Sequence, residues 1–345
     1  MAPIAFDAAL IGFGNVGRAL AGLLLHAGPR VEDAQGVVIR LVLVADRSGV
    51  AVDPEGLDLQ TLLDVKAKTG GVATYPGGGR LGVDAGTALA NLNADLLFEA
   101  SPTSVQTGEP GLSYIRATLE RGMHVVNANK GPLVVAYHDL YALAEQRGVA
   151  LRNSGTVGAP LPTLDLLRYS LHGAVVESIE AIPNGTTNYI LSLMERGRSF
   201  EEGLAAAQDA GIAEPDPSLD IDGWDSAAKI MIMASAFMGA HVRLSDVAVE
   251  GIGRIGAPEA AQARDAGTVL KLLATARRTP DGVELAVSPT RLDLDHPLAR
   301  LKDTGMGVVL TTDILGTIVL TVEGDAPLGT AQAMLRDAVN IGRGW

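Results

Sequence analysis

Apolar positions in the first 150 residues fall into short runs separated by stretches of helical period. Ala8–Ile11, Leu41–Ala45, Leu96–Ala100, His124–Val126 and Val149–Arg152 read as strands, and their alternation with helical stretches predicts a parallel sheet with crossover helices. Val16, Leu20, Leu23 and Leu24 share one face of a helix over residues 16–25, as a helix packed on a sheet requires. Between Lys66 and Arg80 glycine accumulates and the periodicity stops, which predicts a mobile loop and no element. After about residue 155 the pattern changes. Val175–Ile182 reads as a strand, Asn188–Arg196 as a helix, and Ser199-Phe-Glu-Glu202 as a capping box that opens another helix. Val269–Arg277 and Val283–Val287 flank the turn signal Pro280-Asp281-Gly282, and Val308–Leu310 and Ile314–Val322 are further strands. This predicts an α+β second domain with a mixed or antiparallel sheet. The expected boundaries are 1–152, 153–322, and a terminal segment 323–345 whose helix over Thr330–Ile341 returns to the first domain.

Composition narrows the function. The chain has 345 residues, 47% of them hydrophobic, enough for two domains with substantial cores. A net charge of −13 argues against phosphate-backbone binding, so nucleic acid is not an expected partner. The absence of cysteine excludes disulfides, thiolate metal sites and a cysteine nucleophile. No basic leader precedes the first strand, and the longest apolar run, Ile230–Ala240, is too short to span a bilayer, so a cytoplasmic protein is expected. Only six of the 27 basic residues are lysines, at 66, 68, 130, 229, 271 and 302. Where arginine supplies ordinary charge, a lysine at a buried site points to chemistry, because ammonium can donate a proton and guanidinium effectively cannot.

Gly12-Phe13-Gly14-Asn15-Val16-Gly17 follows a strand and opens a helix, the context of a dinucleotide fingerprint. The fold class is therefore read as α/β, a Rossmann-type parallel-sheet dinucleotide-binding domain followed by an α+β second domain. Asp46 ends the second strand and can accept a ribose 2′-hydroxyl. An insertion over residues 28–38 delays it beyond the usual spacing of about 20 residues. Arg47 and Ser48 follow at once and suit a 2′-phosphate, so the sequence admits both NAD and NADP. Ser101-Pro102-Thr103 follows another strand end, where it can contact the cofactor or form a plain turn. Lys130, in Asn127-Ala-Asn129-Lys130-Gly, also lies just beyond a strand, where open parallel sheets bind ligands.

The richest stretch is Glu214-Pro-Asp-Pro-Ser-Leu-Asp220-Ile-Asp222-Gly-Trp-Asp225-Ser-Ala-Ala-Lys229, followed by an apolar run. On a helix, Asp225 and Lys229 share one face at i and i+4. An exposed pair of this kind is worth only about 0.3–0.5 kcal/mol and would be unremarkable. Burying an ion costs several kcal/mol unless partners offset it, so a lysine that opens a nearly all-apolar helix points to a polar pocket in a core. Asn184-Gly185-Thr186-Thr187-Asn188 joins a strand to a helix, where free N–H groups and hydroxyls can take a carboxylate, or where Thr187 simply caps the helix. The six histidines form no zinc-ligand pair.

Together these residues resemble the homoserine dehydrogenase family over nearly the whole chain. Asn184–Tyr189 and Glu214-Pro-Asp-Pro with Asp220, Asp225 and Lys229 carry the resemblance most specifically, supported by Asn129-Lys130 and the glycine fingerprint. It implies reduction of L-aspartate 4-semialdehyde to L-homoserine with NAD(P)H, a step toward threonine and methionine, in a short form without a regulatory module. By resemblance, Lys229 and Asp225 flank the reacting oxygen and Lys130 assists proton transfer. Glu214 and Asp220 hold the substrate ammonium or orient Lys229, and Gly185 and Thr186 face its carboxylate. The resemblance also implies a homodimer or dimer of dimers formed through the second domain. The family's monovalent cation site on backbone carbonyls corresponds to Val157 and Ala159. Ser154 stands where some members assist with glutamate, so a weak or absent sodium or potassium site is expected. The competing readings are a dehydrogenase of another small amino acid, which leaves the Glu214–Lys229 spacing unexplained, and a dinucleotide sensor, which has no use for a buried lysine among carboxylates.

Overall fold

The computed structural model describes residues 3–324 and 327–344, which divide into two units, Met1–Thr156 with Ala326–Trp345 and Val157–Asp325. In the first unit β1 (Ile4–Ile11) leads into α1 (Asn15–Gln35), β2 (Val37–Asp46), β3 (Gly49–Val52) and α2 (Leu59–Thr69). Then follow β4 (Gly79–Leu81), α3 (Ala85–Ala90), β5 (Leu96–Glu99), α4 (Gly111–Glu120), β6 (His124–Asn127), α5 (Lys130–Arg147) and β7 (Leu151–Arg152). The sheet runs β4-β3-β2-β1-β5-β6-β7, parallel from β2 to β7 with β3 and β4 antiparallel at one edge. The central strands β1, β2 and β5 are largely apolar runs because both faces are covered. Leu10, Phe98 and Val126 from the sheet and Leu20, Ala21 and Leu24 from α1 belong to one buried cluster.

Three sequence expectations change here. The first helix does not stop near Leu25 but continues through Pro29 to Gln35. The insertion before Asp46 is thus extra helix, and Val31 rewards it by packing on the core. The glycine-rich stretch is not a free loop: α2 occupies its start and β4 its end. Its backbone is pinned, with the Ala73 N–H donating to Ser48 Oγ at 3.1 Å, Val52 N–H to the Gly78 carbonyl at 3.1 Å, and the Tyr75 hydroxyl accepting the Asp58 N–H at 2.9 Å. Hydrogen bonds between distant segments leave little periodicity to read.

The second unit opens with α6 (Thr163–Ser170), β8 (Val176–Ile182), α7 (Gly185–Glu195), α8 (Phe200–Asp209), α9 (Ser218–Ile221) and α10 (Trp224–Met238). It continues with β9 (Ala248–Val249), α11 (Ala257–Asp265), β10 (Thr268–Thr279), β11 (Gly282–Asp293), β12 (Met306–Thr312) and β13 (Gly316–Val322). The sheet order is β13-β12-β8-β10-β11-β9, mixed because β9 alone pairs in parallel. Ser199 and Glu202 form the expected capping box on α8. The third correction is α7, which begins at Gly185 rather than Asn188 because Asn184 caps it. α10 is apolar nearly all round and packs against β8, β10 and β11, as a central helix must. The chain ends in α12 (Pro327–Gly342), which packs on α1 in the first unit. Among the described residues, no helix is long and apolar enough to cross a membrane.

Candidate active site

In the second unit the strand-to-helix junction after β8 and the start of α10 converge on one polar cluster. Asn184 has β-region backbone angles and its side-chain oxygen accepts the Thr187 N–H at 2.9 Å, so one amide group both caps α7 and turns its NH₂ outward. That NH₂ donates to Asp220 Oδ1 at 2.6 Å and Asp225 Oδ2 at 2.8 Å. Lys229 Nζ lies 2.7 Å from Asp225 Oδ2 and donates to the Pro183 carbonyl at 2.7 Å. Both side chains of the ion pair are only 12% exposed. Burial pushes the Asp220 carboxyl above its usual value, with the Asp225 charge adding to the rise while Asn184, Lys229 and Thr186 oppose it. The arrangement holds an ammonium beside two carboxylates bridged by one amide, a group that can present a proton to a ligand oxygen.

Gly185 and Thr186 form the first turn of α7, and the Thr186 hydroxyl donates to the Ile212 carbonyl at 3.2 Å. Thr187 does not cap the helix, since Asn184 does. Glu214 is exposed, with its carbonyl accepting from Gln208 Nε2 at 3.3 Å, and stands outside the hydrogen-bonded cluster. Val157 and Ala159 are buried near the start of this unit. Lysine scarcity marked Lys229, and the structure adds Lys271, which is 0% exposed, donates to the Leu301 carbonyl and pairs with Glu195 at 3.2 Å. Its apolar strand neighbours hid that structural role.

In the first unit the fingerprint has the geometry a dinucleotide requires. Gly12 has φ +99° and a Cβ there would lie 2.1 Å from the Ala100 carbonyl oxygen, so no other residue fits. A Cβ on Gly14 would meet no atom within 4 Å, and α1 begins there with no side-chain cap. Bare N–H groups and open space at a 21-residue helix N-terminus fit a pyrophosphate. Phe13 is buried beneath the turn, while the Asn15 side chain accepts from Arg18 at 2.7 Å. Asp46 is engaged: its carboxylate takes the Lys66 ammonium at 2.6 Å and the Ser48 N–H and hydroxyl at 2.8 and 2.6 Å. These bonds hold its carboxyl below the usual value although burial opposes them. Arg47 is exposed beside it. Ser101 is buried after β5, Thr103 is exposed, and Lys130 is the first residue of α5, behind the Asn129 cap. Ser154 is committed to Asp337, donating from N–H at 2.9 Å and from its hydroxyl at 2.7 Å. Lys66 and Asn184 were not singled out as site residues from sequence. Asn184 carried a signal in its place at a strand-to-helix junction, whereas Lys66 meets Asp46 only through the fold.

The family model described as homoserine dehydrogenase matches residues 162–339, and that of glutamate/leucine/phenylalanine/valine dehydrogenase matches residues 6–107. The chain is 37% identical to the homoserine dehydrogenase of Methanocaldococcus jannaschii, over 97% of this chain and 98% of that one. It is 35% identical to the NAD(+)-dependent homoserine dehydrogenase of Pseudomonas canavaninivorans, over 97% and 96%. A solved hyperthermophilic archaeal homoserine dehydrogenase in complex with NADPH superposes with a TM-score of 0.84 at 25% identity, covering 99% of each chain. With near full-length agreement in sequence and fold added to the fingerprint and the Asp225–Lys229 cluster, the chain belongs to the homoserine dehydrogenase family of NAD(P)-dependent oxidoreductases.

Proposed function

We propose that the protein interconverts L-aspartate 4-semialdehyde and L-homoserine, with hydride passing between the nicotinamide and the substrate carbon and lysines moving the proton. The observation that carries this reading is the Lys229–Asp225–Asn184–Asp220 cluster. The bound dinucleotide supplies or accepts the hydride, and the glycine turn and the start of α1 hold its pyrophosphate. In the reduction direction the Lys229 ammonium polarises the aldehyde oxygen and delivers a proton to it, a contribution of about 10²–10⁴-fold. Asp225 holds and aims the Lys229 ammonium, Lys130 assists the proton transfer, Asp220 and Glu214 favour the substrate ammonium, and the first turn of α7 at Gly185 and Thr186 favours its carboxylate.

Both cofactors are accepted in this reading. Asp46 can take a ribose 2′-hydroxyl, while Lys66, Ser48 and Arg47 offset a 2′-phosphate beside that carboxylate. With Ser154 committed to Asp337, a glutamate-assisted cation site at Val157 and Ala159 is weak or absent. A flat dependence of rate on sodium and potassium supports that, and a steep one contradicts it. The second unit mediates homodimerisation, supported by the exposed Ile314, Leu315 and Val319 around β13, and light scattering at the monomer mass would refute it.

The experiment is direct. Purified protein is mixed with L-homoserine and either NAD⁺ or NADP⁺, and reduced nicotinamide is followed by absorbance. Homoserine-dependent reduction is expected with both. Silence in both directions of the reaction, with dinucleotide binding demonstrated, would overturn the assignment in favour of another substrate.

A further inference from the structure

Glu99 ends β5 and is 0% exposed. Its Oε1 accepts the Ser101 N–H at 2.9 Å and its backbone carbonyl accepts the Ala128 N–H at 2.9 Å, whereas Oε2 is buried with no hydrogen-bond partner among the described residues. Two segments meet at this carboxyl. One is the loop Ser101–Thr103. The other is the turn into Lys130, knotted by two asparagines: Asn127 accepts the Asn129 N–H and donates to the Asn129 carbonyl, both at 2.8 Å, and Asn129 Oδ1 accepts the Gly131 N–H at 3.0 Å. The Asn129 amide then reaches the other segment, donating to Ser101 Oγ at 3.4 Å and the Pro102 carbonyl at 3.3 Å. The start of α4 closes the cage, since a Cβ on Gly111 would lie 2.7 Å from Asn129 Nδ2 and 3.2 Å from Glu99 Cδ. A parallel sheet needs no acid at this place. An apolar residue would avoid the cost of burying a half-satisfied carboxyl, so the acid serves something other than stability.

We infer that Glu99 is a positioning residue for the dehydrogenase reaction, fixing through Ser101 and Asn129 the loop after β5 against the turn that presents Lys130. This deepens the proposed function and rests on it. A carboxylate grips the Ser101 N–H more strongly than a neutral acid does, so the anchor tightens as the group ionises. Burial pushes this carboxyl up to about 7, against the pull of the Ser101 N–H toward the charged form. Its register neighbours in the sheet, Ile11 on β1 and Asn127 on β6, are not titratable. From α4 it is faced by Tyr114, whose hydroxyl burial holds high, helped by the charges of Asp84, Glu99 and Glu109. Lys130 heads α5 beyond the asparagine turn.

The test compares wild type, Glu99→Gln and Glu99→Ala in homoserine oxidation from about pH 6 to about pH 9, with dinucleotide affinity titrated over the same series. Glutamine keeps the shape and removes the titration. The ratio of wild-type to Glu99→Gln kcat/KM is expected to climb about five- to tenfold through pH 7 and then level off, most of it in kcat. Glu99→Ala is expected to fall at least about tenfold at every pH, with partial rescue by glutamine. A pH-independent ratio overturns the inference, as does an alanine variant that matches wild type. If Glu99→Ala fails to fold, the glutamine profile decides alone. If wild type binds dinucleotide but turns over no homoserine, the dehydrogenase reading is what fails. The affinity ratio of wild type to Glu99→Gln then decides the anchoring role, a step near pH 7 supporting it and a flat ratio refuting it.

Discussion

At the scale of single residues, charge burial explains most of what is unusual. Lys229 is tolerable inside the second unit because Asp225 and the Pro183 carbonyl meet its ammonium. Removing one partner of such a pair leaves an uncompensated ion, at a cost of about 3–5 kcal/mol for a fully buried pair and less at the 12% exposure seen here. Asp225→Asn is therefore expected to lower Tm measurably and to lower turnover at least about tenfold. A thermal melt and a single kcat check both. Glu99 acts on stability in the opposite sense. Its native carboxyl titrates near 7 against an ordinary 4.5, so the folded state holds the proton more tightly. Stability from this group is present at low pH, is lost as pH rises between those values, and is absent above them, a total on the order of 3 kcal/mol. Denaturant melts of Glu99→Gln and wild type should agree most closely near pH 4.5 and diverge in favour of the variant by pH 8. A constant gap would contradict the assignment.

At the scale of elements, the proposed chemistry falls at helix starts and the groups that position it at strand ends. The asparagine that opens α7 clamps two carboxylates, the one that opens α5 joins two loops, and α1 opens on glycine with its N–H groups free of any side-chain cap. Gly14→Ala isolates the last of these. With no atom within 4 Å of the added methyl, stability should change by less than about 0.5 kcal/mol, while dinucleotide affinity falls at least about tenfold because the methyl stands in the ligand's path. Tight binding by that variant would move the cofactor site elsewhere. The elements were legible wherever local pattern and packing agree. The parallel strands, the capping box on α8 and the apolar α10 all announce themselves in sequence. β3, β4 and the full length of α1 did not. Short antiparallel edge strands built of Gly-Val-Ala-Val and Gly-Arg-Leu show no alternation, and Pro29 reads as a helix stop that the packing of α1 overrides.

At the scale of the whole molecule, each unit had a different degree of legibility in its site. Asp225 and Lys229 were readable because i and i+4 spacing survives any helix. The carboxylate bridge through Asn184 joins residues up to 41 positions apart and depends on how β8, α9 and α10 converge. Glu99 and Lys66 were silent for the same reason: an acid at the end of Leu-Leu-Phe and a lysine on an amphipathic helix look ordinary until tertiary contacts give one a cage and the other Asp46. In the proposed reaction Lys229 is the group that handles the proton. The most direct test is the turnover of Lys229→Ala with L-homoserine, measured beside its dinucleotide affinity and its melting curve. The expected result is a fall in kcat of about 10²-fold or more, with affinity within about threefold of wild type and a folded protein. Wild-type turnover in that variant would contradict that role for Lys229.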